Sequence, residues 1–400
     1  MPRGGTIQFF SMLRSKKIIV IPVAILSILA GLIFFVKGCV QGYTNYGVVG
    51  TPGISDNGKL LTALIAENKA TTYNENGGYR KTTYRTTYWL KQYELATGVL
   101  LKKQLLFTSS EIDPLTVECY GAINNNLWLH ANGLMAYDLH TLGLVTTQQQ
   151  LASLAGLPEN IFENQHRLTD VQMHHKRALF TVTNGDKYQL SLTRLRLEKY
   201  NPATDTVKEN SANKIQRQLH LNNVLGSRSD TVGKQVYILA KDSMQASATD
   251  LFTNAATNIS YRMKLFTGAY IIKQYSGHHI TNLQNIHPLN DSTYLNPFFL
   301  HNSTASSIIH LQQPTGYLLL HQDVTGSQAQ AILTRIDTNN NNVWQSSTGI
   351  STKLNTCIVQ NGYCIITGNK MYITSPYTGF DAMLMVYIKT GLISNISLEK

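Results

Sequence analysis

The sequence predicts an all-β protein of many short strands, with one apolar helix ahead of them. Three observations carry this. Asn-Gly, the strongest short-range hairpin signal, occurs at Asn57-Gly58, Asn76-Gly77, Asn132-Gly133, Asn184-Gly185 and Asn361-Gly362. A second turn signal, an acid or Asn followed by Thr and Gly and then an apolar strand, recurs along the chain. Helical patterning is scarce. Residues 148–155 and 214–225 are the two candidates, and neither recurs with a period that builds alternating strands and helices.

The apolar element comes first. Residues 18–36 read IIVIPVAILSILAGLIFFV, with no charge among them. A membrane-spanning helix needs roughly 20 apolar residues to cross a ~30 Å hydrocarbon core, and its backbone must be satisfied internally there. Pro22 falls in the first turns, where a missing N–H is tolerated. Arg3, Arg14, Lys16 and Lys17 precede the run, no acid does, and only Lys37 follows closely. That asymmetry keeps the N-terminus in the cytoplasm and exports the rest. The expected division is a basic cytoplasmic N-terminus over 1–17, a transmembrane helix over 18–36, a juxtamembrane linker over 37–45 and a β domain over 46–400. The chain would then sit in a cell membrane with its large domain periplasmic or extracellular. A cleaved signal peptide is the alternative, although its apolar core usually runs ~7–15 residues. Cys39 is a candidate for lipidation, because Val36-Lys37-Gly38-Cys39 faintly resembles a bacterial lipobox; the plain alternative is an unmodified thiol.

Composition narrows the partners. Formal charge is +11, and setting aside the four basic residues before the run leaves +7, spread along the chain. The densest cluster is Arg80, Lys81 and Arg85. No basic stripe is interleaved with aromatics, so nucleic acid is not an expected partner. Attraction to an anionic membrane or envelope polymer stays open. Charged residues make up only 14%, while Thr, Asn, Ser, Gln and Tyr abound. Such residues suit exported β-structure.

The cysteines are Cys39, Cys119, Cys357 and Cys364, too few for a dense disulfide framework. Cys357 and Cys364 flank a hairpin and are a candidate disulfide. A four-residue loop sets them opposite, where an oxidising compartment would bond them. A tight Asn361-Gly362 turn instead pairs Val359 with Cys364 and puts the cysteines out of register.

Strand pairs follow from the turns. Residues 127–130 run into Asn132-Gly133 and 134–139 run out. Residues 178–183 and 188–197 flank Asn184-Gly185, 318–321 pair with 331–336, and 371–373 pair with 383–388. The second turn signal lies in 93–100 (Thr97, Gly98), 137–145 (Asp138, Thr141, Gly143), 200–207, 336–344 (opening on Asp337) and 387–393 (Thr390, Gly391). Its physics is a tight turn. The acid or Asn side chain and the Thr hydroxyl satisfy local N–H groups, and Gly or Asn takes the positive φ.

Those turns start at 94, 138, 201, 337 and 388, giving gaps of 44, 63, 136 and 51. A four-stranded propeller blade takes ~40–50 residues. The spacing predicts a β-propeller of about seven blades, with eight also fitting, over residues 46–400. The pattern resembles the PQQ-like and WD40-like β-propellers of bacterial envelopes, whose blades carry an A-x-D-x-x-T-G-x-x-x-W turn. The best matches are residues 93–100, 135–145 and 386–393. The Trp that docks neighbouring blades has one counterpart, Trp344, and no WD dipeptide is present. The resemblance implies a fold and carries over no catalytic residue.

The sequence offers no catalytic, cofactor or metal residues. His174-His175 and His278-His279 are adjacent pairs, which point to opposite faces of a strand and do not chelate alone. Residues 337–342 start like a calcium loop, but Gly is missing at the sixth position and Thr348 stands where the bidentate Glu belongs. A quinoprotein dehydrogenase would show adjacent cysteines and strong tryptophan repeats; this chain has three Trp and no Cys-Cys. There is no Gly-x-Ser-x-Gly elbow and no HExxH. Thr-Thr-Tyr recurs at 71–73, 82–84 and 86–88; with Arg80, Lys81 and Arg85 these make an aromatic-basic hairpin or a plain solvated strand pair. The expected function is a binding or scaffold module for an envelope protein or polymer, with no cofactor. The alternative is a hydrolase acting on carbohydrate or peptide at a central channel.

Overall fold

The computed structural model describes residues 41–74, 80–111, 116–158, 169–182, 185–202, 224–226, 234–241, 262–275, 278–302, 307–308, 310–312, 315–324, 329–339, 341–351, 354–370 and 379–399. Five antiparallel sheets of four or more strands and one two-stranded ribbon account for most of them. The first sheet holds β1 (Gln41–Val48), β2 (Gly53–Ile54), β3 (Leu60–Asn74), β4 (Arg80–Glu94) and β5 (Leu100–Thr108), in the order β1-β3-β4-β5 with β2 also on β3. The second is a meander of β6 (Glu118–Ile123), β7 (Asn126–His130), β8 (Leu134–Asp138) and β9 (Leu144–Thr147). A short helix, α1 (Gln148–Leu154), follows it. The third sheet is β10 (Thr169–Gln172), β11 (Arg177–Thr181), β12 (Lys187–Ser191) and β13 (Arg196–Lys199).

The fourth sheet is longer. It runs through β14 (Val224–Gly226), β15 (Lys234–Lys241), β16 (Arg262–Tyr275) and β17 (His278–Phe299). The ribbon of β18 (His301–Asn302) and β19 (Ser307–Ile308) intervenes in the chain. The sheet then continues with β20 (His310–Gln312), β21 (Thr315–Gln322), β22 (Gln330–Ile336) and β23 (Asn342–Ser351), for eight strands in all. The fifth sheet is the meander of β24 (Leu354–Gln360), β25 (Tyr363–Gly368), β26 (Ala382–Tyr387) and β27 (Leu392–Asn395).

The apolar runs explain the packing. Along β3 successive side chains alternate between faces. Leu61, Ala63 and Ile65 join Tyr93, Ile365, Met383 and Met385 in one cluster. Leu64 and Ala66 join Tyr88, Leu90, Leu127 and Leu129 in another. Within the larger unit the first sheet is therefore covered by the fifth on one face and the second on the other, and the first half of β3 reads LLTALIA, apolar but for Thr62. Trp128, Leu134 and helical Leu151 pack on Ala178, Phe180 and Leu190 of the third sheet. Leu318, Leu320 and Leu333 of the fourth pack on Cys364, Ile366 and Leu384 of the fifth. The first and fifth sheets are further joined by a bridge in which Val48 and Phe380 exchange N–H···O bonds of 2.7 and 3.0 Å.

Two compact units divide the chain: residues 1–45 with 68–86, and residues 46–67 with 87–400. Strands β1, β3 and β4 contribute residues to both.

Several expectations are corrected. The closed propeller of about seven blades is not found. Its blades would each end at a fourth strand, whereas the fourth sheet continues its ladder through eight strands and the first contains two strands of 15 residues. The expected transmembrane helix has no counterpart among the described residues. Among the described residues no helix is long and apolar enough to cross a membrane, and α1, at seven residues, rises about 10 Å against a ~30 Å core. Residues 18–36 lie outside the described ones. Of the second helix candidate, Val224 and Leu225 are described, and they pair as a strand with Ile238 and Tyr237. β26 pairs with β25, and residues 371–373 lie outside the described set. The strand expected over 188–197 is broken at 192–195 by a turn that places Leu195 at φ 54.

Candidate binding surface

The smaller unit holds the most accessible aromatic and cationic side chains of the aromatic-basic hairpin. Its described segments are the start of β1, the end of β3 and the start of β4. Thr dominates them because β-branched side chains fit a pleated surface, and here their hydroxyls also bond across strands. Thr72 and Thr82 hydroxyls lie 2.8 Å apart. Thr83 Oγ1 donates to Thr71 O at 3.3 Å, and buried Thr86 Oγ1 donates to Asn68 Oδ1 at 2.7 Å. A thin sheet without a thick apolar core is held in part by such pairs.

Alternation sorts the outward groups. Thr82, Tyr84 and Thr86 share one face of β4, and Lys81, Thr83 and Arg85 share the other. Tyr84 is 70% exposed and Tyr43 53% exposed. Tyr84, through its neighbouring hydroxyl first and then its charge, raises the Tyr43 pKa more than burial does. Lys81 and Arg85 are exposed. The ribbon thus offers tyrosine rings on one side and cations on the other. The third Thr-Thr-Tyr run behaves differently: Tyr88 is buried, with its ring 5.1 Å from Phe107. Asn76-Gly77 lies outside the described residues. Sequence reading missed Tyr43, whose only signal was its place in a short Tyr-Thr-Asn-Tyr stretch.

The recurrent turn residues occupy equivalent places. In four sheets they close the connection into the last strand. Thr97 Oγ1 donates to Glu94 Oε2 at 2.6 Å, and Gly98 has φ 70 between β4 and β5. Asp138 Oδ1 accepts from the N–H groups of Thr141 (2.7 Å) and His140 (3.0 Å), and from Thr141 Oγ1 (2.9 Å). Gly143 N–H donates to Thr141 Oγ1 at 3.1 Å. Asp337 Oδ1 accepts from Asn339 and Asn341 N–H. Thr390 Oγ1 accepts from Leu392 N–H, with Gly391 at φ 74. Two of these carboxylates are held below the usual range. For Asp138, burial raises the pKa but the bonds from Thr141 and His140 outweigh it. For Asp337, the Asn341 N–H is the main cause.

These turns are also docking points. Trp344 Nε1, on β23, donates to Ile388 O at 2.8 Å, and Ser346 Oγ donates to Gly391 O at 2.7 Å. Gln92 Nε2 donates to Leu139 O, and Lys102 Nζ donates to Thr141 O. The last strands of one sheet thus grip the last turn of its neighbour, which ties the turn chemistry to assembly.

The remaining candidates fall apart. His174 and His175 lie in a 3₁₀ turn, not on a strand. His278 and His279 open β17, opposite Tyr275 and Gln274. Among the described residues no group of three His, Cys, Asp or Glu could hold a metal ion. Cys357 and Cys364 are brought together within β24 and β25, with Val359 opposite Cys364. Cys39 and residues 203–207 lie outside the described residues.

No family profile matches the chain, and no curated protein matches it. Among solved structures, it is similar to a chain of an S. cerevisiae assembly described as dbp5 and gle1 variants with nup159, IP6 and ADP, at 11% identity, covering 80% of this chain and 87% of that one with a TM-score of 0.22. At that score the likeness says nothing about what this chain does.

Proposed function

We propose that the chain is a binding module that engages an anionic envelope polymer through the Thr-Tyr ribbon of residues 68–86. The observation that supports this is the pair of exposed, neighbouring tyrosines, Tyr43 and Tyr84, on a ribbon that also carries exposed Lys81 and Arg85. Tyrosine rings stack on flat apolar faces while their hydroxyls stay hydrated. The cations attract a negatively charged chain. We place the chain at the cell membrane, with the residues after position 36 outside the cytoplasm, on the charge asymmetry of residues 1–36.

Co-sedimentation with purified anionic envelope polysaccharide tests the reading. The intact chain should pellet with the polymer, and the double variant Tyr84→Ala, Arg85→Ala should bind about tenfold more weakly, a loss near 1.4 kcal/mol. Binding should weaken as salt rises, since exposed charges are screened beyond ~10 Å at 0.1 M. Equal pelleting of both proteins, or capture by a neutral polymer alone, would sink the proposal.

A further inference from the structure

Cys357 on β24 and Cys364 on β25 are 3% and 0% exposed. Their Sγ atoms stand 3.3 Å apart. Both lie in the cluster that joins the fourth and fifth sheets. The hairpin turn explains the approach. Asn361 has φ 53 and Gly362 φ 82, and two positive φ values in a two-residue loop mark the I′ turn. The turn pairs Gln360 with Tyr363, Val359 with Cys364 and Cys357 with Ile366. The cysteines are therefore diagonal neighbours. They share a face, because Cys357 stands two residues from the partner of Cys364. The right-handed twist of paired strands brings one diagonal closer than the other. Closing to the ~2.05 Å of a disulfide moves the sulfurs together by about 1.2 Å.

We propose that Cys357 and Cys364 are a modification site: the pair closes to a disulfide while the hairpin forms, and burial then seals the bond. The oxidant is an external disulfide of the glutathione or thiol-oxidase class. One thiolate attacks it, which forms a mixed disulfide and releases one carrier thiol. The second thiolate displaces the carrier as its other thiol. Two protons and two electrons leave the pair, and the oxidant takes both electrons. The timing follows from burial. Closing a loop of ~10 residues takes ~10–100 ns, so the pair meets before the fourth sheet packs over it. Once it is packed, the hydrogen bond with Cys364 and burial push the Cys357 thiol up, and exchange needs thiolate. Cys119 supplies an internal control. It lies in a different cluster, its thiol donates to Thr51 O at 3.1 Å, and burial pushes it up to about 12.

The test refolds the full chain from denaturant with reduced and oxidised glutathione. The product is challenged with dithiothreitol while native, then denatured, alkylated and mapped by mass spectrometry. The expected result is a peptide spanning residues 357–364 that lacks two hydrogens and any alkyl group, with Cys119 alkylated. Dithiothreitol should open the bond only in denaturant. Cys364→Ser should leave Cys357 alkylated. If that variant does not fold, Cys119→Ser tests the pair instead and should still give the bonded peptide. Alkylation of both Cys357 and Cys364 after oxidative refolding would overturn the proposal. So would a bond to Cys119 or to a second chain, or opening by dithiothreitol in the native state.

Discussion

Gly391 shows how one residue serves a turn and a contact together. Its φ of 74 closes the last turn of the fifth sheet, a conformation that costs a side chain ~1–2 kcal/mol. A Cβ there would also stand 2.5 Å from Cδ2 of Trp344, and overpacking of this kind costs typically 1–3 kcal/mol. Gly391→Ala should lower stability by about 2–5 kcal/mol in urea unfolding, whereas Gly185→Ala, with φ 86 and open space around it, should cost only the backbone part, ~1–2 kcal/mol. Equal losses would show that Trp344 does not dock there. Asp138 carries a pH signature. Its folded pKa is depressed, with burial opposing and the Thr141 and His140 bonds prevailing. Its contribution is therefore present above the unfolded value, ~3.9, and lost as pH falls through the folded one. The stability gap between wild type and Asp138→Asn should be constant from pH 7 to 5 and shrink below ~4; a gap that widens on acidification would contradict the assignment. His321 acts higher on the pH scale. Burial lowers its pKa, partly offset by Gln322 O and Asp323. The unfolded chain then takes up the proton first, and stability should fall as pH drops below ~6.5.

At the scale of elements, turn chemistry was the most legible part of the sequence. Asn132-Gly133 and Asn361-Gly362 close hairpins at the expected places, with Asn132 at φ 55 and Asn361 at φ 53. The acid-Thr-Gly signal marks the last turn of a sheet at 94–98, 138–143 and 387–391 because it works through contacts two to four residues apart. The turn at 192–195 was not legible: Leu195, at φ 54, gives no local warning of a positive φ. Helix α1 was legible for a local reason too. Thr147 and Gln150 form a capping box, with Thr147 Oγ1 accepting from Gln150 N–H at 3.2 Å and Gln150 Oε1 accepting from Thr147 N–H at 2.8 Å. Thr147→Ala should therefore cost ~1 kcal/mol. Because Leu151 and Ala152 pack with Phe180 and Leu190, the loss should appear in global unfolding; a purely local fraying, seen only by hydrogen exchange in α1, would show that the helix is not part of the core.

At the scale of the whole molecule, regular turn spacing proved a poor guide to sheet extent. Turn gaps of 44, 63, 136 and 51 residues record where meanders turn, not where hydrogen bonding between strands stops. The ladder from β17 to β21 runs on within the stretch between the turns at 201 and 337. Distant pairings of this kind are invisible in sequence, as is the packing of the last sheet on the first. That packing makes the C-terminal residues structural. Ile396 and Leu398 are buried against Tyr93 and Leu95, and buried Lys91 donates to Leu398 O under the Tyr46 ring. Removing residues 396–400 should destabilise the larger unit by about 3–5 kcal/mol, most of it from two lost apolar side chains; an unchanged denaturant midpoint would rule that out. The ribbon is different in kind, since its exposed tyrosines and cations contribute little to a core. The most direct measurement replaces residues 70–84 with a two-residue Asn-Gly turn, keeping the Asn68–Thr86 pair, and titrates both proteins with anionic envelope polysaccharide. The prediction is an unchanged thermal midpoint for the larger unit with polymer binding lost. Undiminished binding by the shortened chain would contradict the assignment of function to the ribbon.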